Sequence, residues 1–224
     1  SIQTYDTNVK VYSVTREWKP LGYYMPDFFS NAWKRPGWWA EVLKKSVKGQ
    51  KIMTNVCNFS KSSSWKDYLS AYDVKVIFHE LGHMLHEFLS PQNYTQLGGF
   101  DVEDDAIEIP SKFNENLILD RSVVDMYMRH EDTGESISDE LLMALQEKWR
   151  LSNEISGLEW IQRSLFDLKI HWDNPPGSLQ ELQEIWYHFY SLFTPFDVVD
   201  IEDYNLAANF YHFFHSPLWN YVAV

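Results

Sequence analysis

The sequence predicts a mainly α-helical fold, in which a small N-terminal β-sheet leads into a helical body. Residues 1–60 combine short alternating runs of β-branched residues with turn signals, a pattern typical of strands. From about residue 70, apolar residues recur at helical period, and Ser-x-x-acid capping signals precede several of these runs. We therefore expect a single domain over residues 1–224, with the sheet in 1–60 and the helical body in 70–224.

Three short segments are the strand candidates. Residues 9–15 alternate and are rich in β-branched residues, and residues 21–25 and 51–56 are further apolar runs of strand length. Residues 35–39 form a Pro-Gly turn followed by two tryptophans. Residues 58–64 are polar, so we expect a loop between the sheet and the helices.

The first predicted helix begins at Ser70, where Ser70 and Asp73 fit a capping box. Its end is predicted at Ser90-Pro91, because the residue before a proline disfavours helical backbone. Six apolar residues follow helical period between these limits: Val74, Ile77, Phe78, Leu81, Leu85 and Phe88.

A loop containing Gly98-Gly99 leads to a second helix that begins near Glu108, where Pro110 suits a first turn. The second half of the chain is predicted to be mostly helix, with capping boxes at Ser136-x-x-Asp139 and Ser178-x-x-Glu181. Its helices are expected at 138–150, 152–171 and 178–193, with a Pro-Pro-Gly breaker in 173–177.

Composition excludes several classes of protein. The 45% hydrophobic and 17% aromatic content excludes a disordered chain. With 19 Lys+Arg against 32 Asp+Glu, the net charge of −13 argues against nucleic acid and anionic membrane surfaces as partners. The sequence contains no run of about 18 apolar residues, so we expect no membrane-spanning helix. A single cysteine, Cys57, permits no intrachain disulfide and favours an intracellular location, cytoplasmic or mitochondrial/organellar. We expect Cys57 to be a buried apolar residue rather than a nucleophile.

The strongest chemical signal is an H-E-x-x-H motif, His79-Glu80-Leu81-Gly82-His83, inside the first predicted helix. Residues four apart share a helix face, so His79 and His83 can present two imidazoles to one metal ion. Glu80 follows one step round the helix, where a carboxylate can take a proton from a metal-activated water.

A catalytic zinc usually has a third protein ligand. It is not a third histidine six residues after His83, because Leu89 stands there. Glu108 is the best candidate, since it opens the second helix and a loop can fold it back against the first. Glu115 lies two turns further along and can accept a hydrogen bond from a ligand imidazole. The other acids considered are Glu103, Asp104 and Asp105.

These motifs resemble those of the thimet oligopeptidase family, which includes oligopeptidase A, peptidyl-dipeptidase and mitochondrial intermediate peptidase. The family's F-H-E-F-G-H-x-x-H motif appears here as residues 78–86, and its D-F-V-E-x-P-S-Q-x-x-E motif as residues 105–115. The 29-residue separation of His79 and Glu108 also agrees. Residues 55–58, Asn-Val-Cys-Asn, are most similar to the peptidyl-dipeptidase branch.

The resemblance implies a helical metallopeptidase catalytic body that binds one Zn²⁺ per chain through His79, His83 and Glu108. Glu80 would be the general base and proton shuttle. Substrates would be short peptides, because the family cleaves them inside a deep channel between two mostly helical halves. A two-His, one-carboxylate set also suits Mn or Co, although zinc fits this motif best.

This sequence departs from the family pattern in three respects. Family members are roughly three times longer, and Lys112 replaces the usual glutamine of the second motif. The C-terminal segment that stabilises the oxyanion in the family lacks its glycines here, and His212 and Tyr221 are its best counterparts. His215 is an alternative to His212, and His86 is expected to pack or hydrogen-bond rather than bind metal.

Three hypotheses follow. The first is a zinc-dependent metallopeptidase that hydrolyses short peptides with a metal-activated water and Glu80 as base. The second is a metallopeptidase-like fragment that serves as a structural or split subunit of a larger assembly, with another chain supplying the missing half of the channel. A longer enzyme that was trimmed is a third possibility, because the chain begins at Ser1 and stops after an aromatic run.

Overall fold

The computed structural model describes residues 8–46, 50–61, 68–90, 93–94, 96–172 and 175–194. The described residues divide into two compact units, one within Ser1–Ser136 and the other within Ile137–Val224. A small sheet near the N-terminus precedes five helices, which confirms the predicted order of elements. The single domain over 1–224 stays a prediction.

The sheet of the first unit is mixed and is built around its longest strand, β5. Its strands are β1 (Tyr12–Arg16), β2 (Lys19–Tyr24), β3 (Asp27–Phe29), β4 (Trp39–Lys44) and β5 (Lys51–Phe59). Strands β2 and β3 pair with β5 in parallel, β4 pairs with it antiparallel, and β1 pairs antiparallel with β2. Sequence analysis missed β3 and β4, and it wrongly placed Asn58 and Phe59 in a loop, because β5 continues through them.

The turn between β1 and β2 has an unfavourable sequence. Its two residues, Glu17 and Trp18, have φ values of 49° and 64°. A two-residue hairpin with positive φ at both positions favours Asn-Gly, since the backbone of most residues that carry a Cβ atom is strained at positive φ. The Trp18 side chain does not offset this strain by packing, because it is 98% exposed.

Three helices complete the first unit: α1 (Ala71–Leu89), α2 (Ile109–Glu115) and α3 (Arg121–Tyr127). The capping box that begins α1 is confirmed, with the Asp73 amide donating to Ser70 and the Ser70 amide donating to Asp73. Sequence analysis did not predict α3, a seven-residue helix capped by Asp120.

Helix α1 packs its buried face against β5 through two apolar clusters. One cluster joins Met53 of β5 to Met84 and Phe88 of α1, together with Tyr24. The other joins Cys57 and Phe59 of β5 to Val76 of α1. Burial of these apolar side chains holds α1 against the sheet. The side chains on the other faces of α1 are therefore held in position as well.

The second unit contains α4 (Asp139–Trp172) and α5 (Leu179–Phe193). The predicted break between helices 138–150 and 152–171 is wrong, because α4 runs through it, and Arg150 pairs with Glu147 and Glu154 across the expected boundary. Ser138 rather than Ser136 accepts the hydrogen bond that caps α4, from the Leu141 amide. No helix of the described residues is both long and apolar enough to cross a membrane.

Candidate metal centre

Two helices of the first unit bring three potential metal ligands together. His79 and His83 project from one face of α1, and Glu108 is the residue that immediately precedes α2. Glu108 Oε2 lies 3.2 Å from His79 Nε2 and 3.3 Å from His83 Nε2. One ligand atom of each residue lies within 4.8 Å of the others.

Gly82 permits this close approach of α2 to α1. A Cβ atom at Gly82 would lie 2.5 Å from the Pro110 carbonyl oxygen and 2.6 Å from the Ser111 Cα. Both are backbone atoms, which cannot move aside as a flexible side chain can. Gly82, the glycine within the H-E-x-x-H motif, therefore allows the start of α2 to pack directly on α1.

Hydrogen bonds hold Glu108 and α2 in this position. The Ser111 hydroxyl contacts Glu108 twice, 2.6 Å from its Oε2 and 2.8 Å from its backbone oxygen. The Asn114 side-chain amide donates to the backbone oxygen of Phe78 on α1. Ser111 and Asn114 are both buried, so these bonds are shielded from water.

Two of the three separations among these ligand atoms match a tetrahedral zinc site. Zinc binds histidine nitrogen and carboxylate oxygen at about 2.0–2.2 Å, so neighbouring ligand atoms on its tetrahedron lie about 3.3–3.6 Å apart. The two His–Glu separations, 3.2 and 3.3 Å, are close to this edge length. Two imidazoles and one carboxylate also form a donor set that suits zinc and leaves one position for water or substrate.

Glu115 orients the first of the two imidazoles. Its Oε1 lies 2.6 Å from His79 Nδ1, which directs Nε2 of the same ring towards Glu108. Lys75 and Lys112 approach the Glu115 carboxylate at 3.3 and 3.1 Å. Burial would raise the pKa of Glu115, but the hydrogen bond with His79 and the two lysines outweigh it and lower the pKa to about 2.

The same contacts shift the pKa values of His79 and Glu108. Burial lowers the pKa of His79, but its hydrogen bonds with Glu108 and Glu115 outweigh burial and raise the pKa to about 9. Burial would raise the pKa of Glu108, yet the contacts with His79 and His83 hold it far below its usual range. Glu108 is therefore an anion at neutral pH, as a metal ligand must be.

Glu80 lies on the buried face of α1 and is only 2% exposed. Its Oε2 accepts a hydrogen bond of 3.3 Å from the Asn55 side-chain amide of β5. Burial raises the pKa of Glu80, and the neighbouring His79 and His83 oppose that rise. A carboxylate with a raised pKa is a stronger base than an exposed one, which is suited to proton transfer.

His83 is held differently from His79. Its ring contacts the Phe100 ring edge to face, with centroids 5.6 Å apart. Within the described part of the chain, the buried His83 Nδ1 has no hydrogen-bond partner. Phe100 is itself held by its backbone amide, which donates to the Glu87 carboxylate of α1 at 3.2 Å.

The structure thus brings together His79, His83 and Glu108, with Glu115 against His79. The predicted oxyanion contacts, His212 and Tyr221, lie outside the described residues, as does His215. Sequence patterns alone did not indicate five residues that support the site: Asn55, Lys75, Gly82, Ser111 and Asn114. Asn55 could have been noticed in the sequence, because it places a polar side chain between Met53 and Cys57 on one face of the strand. Both of these neighbours are buried.

Comparisons with known proteins show which family the chain resembles. The sequence model of peptidase family M3 matches residues 1–222. Dipeptidyl carboxypeptidase of Escherichia coli is 27% identical over 188 residues, which is 82% of this chain and 28% of that protein. Mitochondrial intermediate peptidase of Arabidopsis thaliana is 34% identical over 133 residues, 56% of this chain and 19% of that protein. Oligopeptidase A of Haemophilus influenzae is 27% identical over 179 residues, 76% of this chain and 26% of that protein. The chain thus spans less than a third of the length of these relatives.

Proposed function

Because the chain belongs to peptidase family M3, the thimet oligopeptidase family, we propose that it carries the catalytic zinc centre of a peptidase that hydrolyses short peptides. The observation that supports this most strongly is the convergence of His79, His83 and Glu108 at zinc-ligand separations. In this proposal, residues 1–224 belong to a single catalytic domain.

The proposed chemistry divides between the ion and the chain. His79, His83 and Glu108 would hold the zinc ion, which would supply a Lewis acid for the scissile carbonyl and would lower the pKa of water. Glu80 takes the proton from the attacking water and passes it to the leaving amine. Glu115 keeps His79 in the orientation and tautomer that expose Nε2. His212 and Tyr221 are the proposed hydrogen-bond donors to the developing oxyanion.

Substitution of Glu80 by glutamine tests the proposed base. Glu80→Gln keeps the side-chain shape but cannot accept the proton, so turnover of a short peptide should fall about 10²- to 10⁴-fold. Zinc content should not change, because Glu80 is not a proposed ligand. The matched control is Glu103→Gln, which removes an exposed carboxylate from the segment between α1 and α2. Chelator-sensitive cleavage at near-normal rate by the Glu80→Gln protein would refute the assigned role.

We also propose a second candidate function, a structural or split subunit. The chain matches 28% of the length of dipeptidyl carboxypeptidase of Escherichia coli. A split enzyme would bind zinc alone but cleave peptides only after the complementary chain is added. A structural subunit would co-purify with a large assembly and show no chelator-sensitive cleavage in either condition.

A further inference from the structure

Asn55 and Glu80 are polar residues that each lie between two buried apolar residues, on facing rows of β5 and α1. On α1, Glu80 lies one turn from Val76 and one turn from Met84, and all three side chains are buried. On β5, Asn55 lies two residues from Met53 and two from Cys57, and these three side chains are completely buried. The rows meet in the packing of α1 on β5, where the Asn55 amide donates to Glu80.

Stability alone does not explain an asparagine at this position. A buried side-chain amide costs free energy unless all its polar atoms are paired. Asn55 Nδ2 is paired with Glu80 Oε2 at 3.3 Å, but Asn55 Oδ1 has no hydrogen-bond partner among the described residues. An apolar side chain would complete the row with no unpaired oxygen of its own, but it would remove the donor to the buried Glu80 Oε2.

We propose that Asn55 is a positioning residue for the proposed general base, Glu80. Its amide holds one carboxylate oxygen, Oε2, and so fixes the rotation of the carboxylate and leaves the other oxygen, Oε1, for the proton. Asn55 lies on the central strand β5, where pairing with β4 fixes its backbone. This fixed backbone helps to hold the side-chain amide in position. This inference rests on the proposed role of Glu80.

The test compares Asn55→Leu, which keeps a branched side chain but removes the donor, with Thr54→Val as the matched control. Thr54 is the adjacent residue of β5, is also buried, and its hydroxyl donates to the Met25 backbone oxygen at 2.7 Å, away from Glu80. In the zinc-loaded full chain, Asn55→Leu should lower kcat for a short peptide about 10- to 100-fold and leave KM unchanged. Thr54→Val should lower stability without changing kcat.

Two further measurements decide the inference even if the chain alone does not turn over. A double-mutant cycle with Glu80→Leu, which removes the acceptor, should show that Asn55→Leu changes the unfolding equilibrium constant about tenfold more when Glu80 is present. Crystal structures should show the Glu80 carboxylate rotated or disordered in Asn55→Leu and unchanged in Thr54→Val.

The outcomes separate this inference from the proposed function. An unchanged Glu80 carboxylate in the Asn55→Leu crystal, or additive effects in the cycle, would overturn the positioning role whether or not the chain is a peptidase. A normal kcat in Asn55→Leu would also overturn it. Zinc-independent cleavage, or full activity in Glu80→Gln, would instead refute the proposed function.

Discussion

Glu115 links the metal centre to charges outside it. The carboxylate contacts His79 Nδ1 at 2.6 Å and is flanked by Lys75 and Lys112. The hydrogen bond with His79 and the two lysines outweigh burial and keep this carboxylate anionic at neutral pH. Lys112 therefore has a specific contact at the position where the family usually has glutamine.

Replacement of Glu115 by glutamine should weaken zinc binding about 10- to 100-fold, since outer carboxylates contribute that much to metal affinity. The reason is that a neutral amide stabilises the required tautomer of His79 less well than an anion does. Competition for zinc with a chromophoric chelator measures the change, with Glu103→Gln as the control. Equal affinities of the Glu115→Gln and Glu103→Gln proteins would contradict the orienting role of Glu115.

We expect the Cys57 thiol to be unreactive towards alkylating reagents in the folded protein. It is completely buried, and burial together with the nearby Glu80 raises the pKa of its thiol to about 12. As the only cysteine, it can be followed directly with iodoacetamide at pH 8. We expect alkylation only in denaturant. Rapid labelling of the native protein would mean that β5 and α1 do not pack as described.

The pH dependence of stability follows from the same shift. A raised folded pKa means that the contribution of Cys57 is fully present below the unfolded pKa of about 9 and is lost as the pH rises towards 12. Cys57→Ala should remove this alkaline component, so denaturant unfolding between pH 9 and 11 should show a smaller decline in the variant. An equal decline in both proteins would assign the loss to other groups.

Among the secondary-structure elements, the position of α2 on α1 depends on the absence of a side chain at Gly82. Gly82 faces the backbone of Pro110 and Ser111, and Glu108 begins the turn that rests on it. A shift of α2 by a few tenths of an ångström would move Glu108 relative to both histidines, so helix packing and ligand geometry are coupled.

Gly82→Ala should therefore destabilise the protein by about 1–3 kcal/mol, the usual cost of overpacking, and weaken zinc binding. Gly157→Ala is the matched control, since Gly157 lies within α4 and a Cβ there meets no other atom within 4 Å. Alanine at Gly157 should stabilise the helix by about 0.5–1 kcal/mol. Denaturant unfolding and zinc competition on both variants measure the effects. A stabilising effect of Gly82→Ala would show that the helices do not touch there.

The elements that the sequence predicted well are those with strong local signals. The capping box at Ser70 and the helical run after it located α1, and the H-E-x-x-H spacing located two of the candidate ligands. Three-residue β3 and seven-residue α3 lack such signals, since tertiary pairing rather than local pattern stabilises them. The break predicted near residue 151 failed because i,i+3 and i,i+4 ion pairs around Arg150 support a continuous helix.

Contacts between distant segments could not be predicted from one sequence. The Asn55–Glu80 and Lys75–Glu115 contacts join residues 25 and 40 positions apart. No local periodicity encodes such pairs, although a lone polar residue in a buried strand row marks Asn55 as unusual. The role of Gly82 likewise appears only when α2 is placed against it.

At the scale of the whole molecule, the chain holds a complete candidate ligand set within a small part of a family protein. All three proposed ligands and Glu80 lie in the first compact unit. The relatives are more than three times as long as the region they share with this chain. Metal binding and peptide cleavage can therefore be tested separately.

The most direct test is the zinc content of the chain, measured by elemental mass spectrometry after purification without added metal or chelator. We expect about one zinc per chain, and its loss in His83→Ala, because that variant removes one of three proposed ligands. The Glu103→Gln protein should retain its zinc. Absence of zinc from the wild-type chain, with none taken up when zinc is added, would contradict the proposed metal centre and leave the structural-subunit function in its place.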